Sequence, residues 1–201
     1  MEISQFKDFK WLNQSRVHFE ADRVAMYAPA VSDFFCNNGA ISEEGITPES
    51  LHNAPFFYTE IEGDFVMKAL VSHAFKDTYD SATLMVMQNL DVWAKACFEK
   101  TDFGAHAVVS VVTNHTSDDA NGCNIQGEEV WLQITRVGNS FAFHYSEDGK
   151  NFYMMRFFNL PVDGTIKAGL EAQAPQGDGG ERYFDHLSIE KKTVKNIRMG
   201  K

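Results

Sequence analysis

From residue 56 onward, apolar runs of strand length recur between turn signals. The runs cover 56–61, 65–75, 81–88, 92–98, 106–114, 130–137, 141–146, 152–158, 166–174 and 183–190. Between them stand "EGD" at 62–64, "NLD" at 89–91, "VGN" at 137–139, "EDGK" at 147–150 and "PVDG" at 161–164. Glycine and asparagine supply positive φ in such turns, and proline stops a strand; Gly149 is expected to take the positive φ of its own turn. Earlier, "SRVHFEADRVAMYAPA" reads as two shorter strands and "CNNGAISEEGITPESLHNAPF" as a long loop with one helical turn. The helix–strand alternation that a parallel sheet needs does not occur. The prediction is about ten to twelve antiparallel strands packed as a two-sheet sandwich of jelly-roll type.

Strand residues alternate between two faces, so parity sorts them. In "VWAKACF", Val92, Ala94, Ala96 and Phe98 share one side, and Trp93, Lys95, Cys97 and the following Glu99 share the other. In "IKAGLEAQA", Ile166, Ala168, Leu170 and Ala172 form an apolar side, and Lys167, Gly169, Glu171 and Gln173 a polar one. In "FYMMRFF", Arg156 shares parity with Phe152, Met154 and Phe158. Several strands therefore pair an apolar side with a mixed polar and aromatic side. Such a side either faces water or, on a curved sheet, forms a groove that binds a saccharide or another polar small molecule. The candidate ligand-binding residues are Trp93, Lys95, Glu99, Arg156, Glu171 and Gln173, with Trp131 a further aromatic of the same kind. Arg156 is expected beside Glu99 or Glu171, because a guanidinium among aromatics needs an acceptor.

At 201 residues and 44% hydrophobic, the chain can bury a substantial core and is read as a single domain over 1–201. The net charge of -10 and pI near 5.1 argue against nucleic acid as a partner and favour a neutral or cationic ligand. No apolar run approaches the roughly 20 residues of a membrane span, and "MEISQFKDFKWLNQ" has no secretory core. The expectation is a cytoplasmic protein with reduced thiols at Cys36, Cys97 and Cys123 and no membrane partner.

Catalytic patterns are absent. A retaining glucanase needs two carboxyl groups about 5 Å apart, supplied by alternate residues as in E-x-D-x-E, and no such strand occurs; Lys95 or Arg156 beside Glu99 or Glu171 would depress their pKa values and disfavour a general acid. The histidines lack the tight spacing of a zinc site. No cofactor is expected, and a structural calcium ion held by "SDDANG" or "PQGDGGE" is the open alternative to ordinary turns.

"DVWAKACFE", "HAVVSVVTNHTSDD", "EVWLQITRVGNSFAFHYSEDGKNFYMMRFFNLP", "IKAGLEAQAPQGDG" and "RYFDHLSIE" resemble a domain family of unknown function that includes yeast enolase-regulator-like proteins. That family lies in the concanavalin A-like lectin and glucanase superfamily, and a similar module follows the catalytic domain of some β-xylosidases. The resemblance covers residues 10–190, with departures at Ala96, Cys97 and Asp119. It implies an all-β sandwich with a concave sheet and no particular reaction. The expected function is non-catalytic binding of a carbohydrate or polar small ligand on that sheet. The alternatives are a regulatory domain with a protein partner and, behind it, a glycoside hydrolase.

Overall fold

The structure is a computed structural model that describes residues 6–37, 39 and 50–201. The described strands are β1 (Lys10–Leu12), β2 (Val17–Glu20), β3 (Arg23–Pro29), β4 (Phe34–Phe35), β5 (Leu51–His52), β6 (Phe56–Glu62), β7 (Phe65–His73) and β8 (Ser81–Asn89). They continue with β9 (Val92–Lys100), β10 (His106–Asn114), β11 (Thr116–Asn124), β12 (Glu129–Val137), β13 (Ser140–Ser146), β14 (Tyr153–Asn159), β15 (Thr165–Gln173) and β16 (Gly179–Lys191). A 3-10 turn, Ile197–Met199, follows. The strands form two seven-stranded antiparallel sheets and a small β4–β5 pair. Sheet A has the order β1-β6-β15-β8-β9-β10-β11, and sheet B the order β14-β13-β12-β7-β16-β3-β2.

The alternation read from the sequence sets the core. Ala94, Ala96 and Phe98 of β9 and Ala168, Leu170 and Ala172 of β15 turn inward from sheet A. They meet Met67, Ala69 and Val71 of β7, Leu132 and Ile134 of β12 and Phe141 and Phe143 of β13 from sheet B. Two inward faces closing on one another give the sandwich. Gly149 takes φ 68° in the β13–β14 turn, where Asp148 accepts from Ser146 Oγ and from the backbone N–H of Lys150 and Asn151.

All twelve expected strands are present, and four are added: β1, β4, β5 and β11. The nine residues of β11 are almost all exposed at the edge of sheet A; a strand with no buried face shows no apolar alternation, so "TSDDANGCN" reads as a loop. "SDDANG" is thus strand rather than the turn read from its composition. Most of the expected long loop, with its helical turn, lies outside the described residues.

Gly169 sits in β15 where its neighbour β6 comes closest: a Cβ there would be driven into the Phe57 carbonyl and the Tyr58 Cα. Both obstacles are backbone and cannot rotate away. Gly169→Ala should cost about 1–3 kcal/mol of stability, the usual range for overpacking, read as a lower urea midpoint at unchanged slope. An unchanged midpoint would show that the two strands are not so closely apposed.

Candidate functional site on the outer face of sheet A

Strand order and register arrange the outward side chains of sheet A in rows. One row runs Gln173, Ser81, Glu99, Ala107 across β15, β8, β9 and β10, and the next runs Glu171, Thr83, Cys97, Val109. A third runs Gly169, Met85, Lys95, Val111 and reaches Asp119 on β11. The fourth, Lys167, Met87, Trp93, Thr113, ends at Ser117. The first two rows are polar. The other two combine Lys95, Asp119 and other polar groups with Met85, Val111, Met87 and Trp93, and Phe34, Cys36 and Ala54 close over these four to make a second, smaller core.

The segment 30–37 lies across this face and is fastened at three points. Ser32 bridges Ala174 through both backbone groups. The Asp33 carbonyl accepts from the Asn53 and Ala54 N–H groups, and Cys36 N–H donates to Ser117 Oγ at 2.9 Å. Held there, Asp33 Oδ1 accepts from Lys95 Nζ at 2.8 Å, and Lys95 also donates to Gln173 Oε1 at 2.6 Å. Gln173 in turn donates to the Tyr79 carbonyl, and its own carbonyl accepts two bonds from Arg182, which pairs with Asp80 at 2.9 Å. Lys95 and Arg182 are both fully buried.

Two carboxyl groups remain without such partners. Glu171 is fully buried, and among the described residues neither of its oxygens has a hydrogen-bond partner. Thr83 is the nearest donor and favours the charged form as a hydrogen-bonding neighbour, but its hydroxyl also lies 2.9 Å from Ser81 Oγ, so at most this one shared donor serves two carboxyl oxygens. Burial pushes the Glu171 pKa up to about 7, against the pull of Lys95 and with Asp33 adding to the rise. Glu99, also buried, is pushed well above the carboxylate range, first by burial and then by Asp119. The Cys97 thiol between them is raised by burial as well. Lys95 keeps its proton: burial works against its charge, but Asp33 and Glu171 outweigh it. The site thus holds an ammonium beside two carboxyl groups whose ionisation burial opposes.

Residues 11–192 match the family described as Protein of unknown function (DUF1349). The chain belongs to this DUF1349 family. A functionally unknown protein from Saccharomyces cerevisiae is 24% identical with a TM-score of 0.82, the match covering 94% of this chain and 99% of that one. A xylan β-1,4-xylosidase from Bacillus halodurans is 8% identical with a TM-score of 0.65, over 90% of this chain and 39% of that one, so this chain spans well under half of the enzyme. The exoplasmic/lumenal domain of VIP36, in its Ca2+/Man3GlcNAc-bound form, is 9% identical with a TM-score of 0.56, over 94% and 86%. At these identities the likeness is one of fold. No curated protein matches the chain.

In this DUF1349 member, Trp93, Lys95, Glu99, Glu171 and Gln173 do share one face, as parity required. Arg156 does not join them. It belongs to sheet B and reaches across the side of the sandwich to Asp118 on β11, donating to its carbonyl at 3.0 Å and to Oδ2 at 2.9 Å. Parity assigns a face within a strand but says nothing of which sheet the strand joins. Trp131 is on sheet B too, stacked on His186 at 5.9 Å. Trp93 is completely buried under Phe34, with Nε1 donating to the Leu90 carbonyl, and offers no stacking surface. The expected depression of the carboxyl pKa values by Lys95 is reversed, because burial outweighs it. Sequence reasoning missed Asp33, which sits in a segment read only as loop and turn, and it missed Arg182. Parity could have found the latter, since Arg182 shares the inward face of β16 with Phe184. Among the described residues no group of three His, Cys, Asp or Glu side chains is placed to hold a metal ion.

The raised Glu171 pKa makes stability depend on pH. Below about pH 4.5, the ordinary value, both folded and unfolded states carry the proton; between there and about 7 only the folded state does, so stability falls as pH rises. Above pH 7 the full loss is about 3 kcal/mol, at 1.36 kcal/mol per pKa unit. Glu171→Gln should therefore raise the melting temperature relative to wild type at about pH 8 and lose that advantage at about pH 4.5. A difference that does not vary with pH would remove the desolvated carboxyl from the description of this site.

Proposed function

We propose that this DUF1349 domain is a non-catalytic module that binds a polar small molecule, of saccharide class, at the polar rows of sheet A. The observation that carries the reading is the fully buried Glu171, whose two oxygens have, among the described residues, no donor beyond the shared hydroxyl of Thr83. Buried acceptors are nearly always paired in native proteins, and a ligand is one way of supplying the missing donors. The surrounding Lys95–Asp33–Gln173 network is already complete and fixes the frame of the site, as preorganised binding requires. The fold also hosts a saccharide in the VIP36 domain, an analogy of fold alone. A polysaccharide platform is not favoured, because Trp93 is covered and the segment 30–37 crosses the face.

Inverting glycoside hydrolysis is the second reading. Glu99 and Glu171 lie on strands separated by β8 and two residues out of register, about 12 Å apart at the backbone. Side chains converging across β8 would bring the carboxyl groups to the roughly 6.5–9.5 Å of an inverting pair rather than the about 5 Å of a retaining one, and a raised carboxyl pKa suits a general acid. The two readings separate in one experiment. Calorimetric binding of a panel of mono- and disaccharides and product analysis of the same mixtures should show binding without products. Binding should weaken at least about tenfold in Gln173→Ala, where a buried polar contact is removed, and remain unchanged in Arg156→Ala. Turnover abolished by Glu99→Gln or Glu171→Gln would establish the hydrolase instead, and absence of all binding would direct the search to a protein partner.

A further inference from the structure

The polar rows and their border carry more carboxyl groups than cationic groups to answer them. From β15 the site receives Glu171, from β9 Lys95, Cys97 and Glu99, from β11 Asp119, and from the segment 30–37 Asp33. Strand β8 contributes only the neutral Ser81 and Thr83, and β10 no titratable group in the rows that hold the two glutamates. On the side of the 74–80 connection stand Tyr79 and Asp80, the latter neutralised by Arg182 of β16. Four carboxyl groups thus face one ammonium, and that ammonium is already committed to Asp33 and Gln173. Three of the four, Glu171, Glu99 and Asp33, are buried, and of these Asp33 is the one paired with Lys95.

We propose that the ligand of this site carries a protonated amine, which seats at Glu171 on its Glu99 side and takes the place of the proton that Glu171 otherwise holds. An amino sugar or amino polyol is the class that fits, since its hydroxyl groups engage the remaining acceptors. The inference rests on the small-ligand reading above and adds its charge. The exchange balances: the ammonium enters with its three N–H donors, the Glu171 carboxyl gives its proton to solvent, and the pair that forms is charge-assisted on both sides. Lys95 cannot fill this role itself, because turning to Glu171 would leave Asp33 buried without a partner. The proton exchange fixes a sign. While Glu171 is protonated, each pH unit gained should tighten amine binding about tenfold, levelling off near pH 7; a neutral polyol needs no proton released and should show no such rise.

Glucamine and sorbitol differ by one amine on the same carbon chain, and an alkylamine keeps its proton throughout this range. Titration calorimetry of both, at about pH 5.5, 6.5 and 7.5 and in buffers of different ionisation enthalpy, counts the protons released. Glucosamine and N-acetylglucosamine give the comparison on a ring at about pH 5.5 and 6.5, where the ring amine is protonated. The expected result is an amine preference of at least about tenfold near neutrality, close to one proton released at the lowest pH, and loss of both in Glu171→Gln. The melting temperature of that variant shows that it is folded, and Glu99→Gln, which should also weaken the preference, serves as the second variant. Equal binding of sorbitol or N-acetylglucosamine without proton release overturns the amine inference and leaves the small-ligand reading standing. Silence from amine and neutral probes alike overturns both.

Discussion

Lys95 is an ammonium held out of water on the outer face of a β-sheet, and much of the surrounding structure exists on that condition. The effective cost of desolvating such a group is several kcal/mol, recovered only if acceptors arrive with good geometry. One acceptor, Gln173, comes from the same sheet; the other, Asp33, comes from a segment that must cross the face to reach it. The crossing is what closes Phe34 and Cys36 over Trp93 and turns an outer face into a second core. Gln173 is held in turn by the Tyr79 carbonyl and, through its own backbone, by Arg182, so the ion pair also ties down the connection before β8 and the start of β16.

The same covering decides the sign of the electrostatics at Glu171 and Glu99. A lysine in the next row would ordinarily hold a carboxyl ionised. Here its charge is already answered by Asp33 at 2.8 Å. From Glu171 the pair resembles a dipole more than a free cation, and the favourable pull of Lys95 is partly cancelled by the repulsion of Asp33. Burial then outweighs what remains.

That contrast marks how far the sequence can be read. Each strand with one buried face announces itself through alternation and through its turn residues, and parity within β9 and β15 is enough to put Trp93, Lys95, Glu99, Glu171 and Gln173 on a common side. β11 stays hidden because an exposed edge strand has no apolar period. Arg156 and Trp131 group with the site in the sequence because alternation carries no information about strand order, and their strands join the other sheet. The cover over the site is invisible for a related reason: "VSDFFC" has an apolar pattern too short to reveal that its aspartate meets a lysine sixty-two residues further on.

Alternation also separates what the fold needs from what the site needs. In β9 and β15 the inward residues make the sandwich core and the outward residues make the rows, so outward residues can change without disturbing the inward packing. Glu171 is where the separation fails. Its ionised form opposes folding by about 3 kcal/mol above pH 7, a large part of the roughly 5–15 kcal/mol that stabilises a typical domain. A glutamine would fill nearly the same volume without that opposition. The property that distinguishes glutamate there is the capacity to exchange a proton for another cation, and the packing and strand register of this sheet give no other use for it.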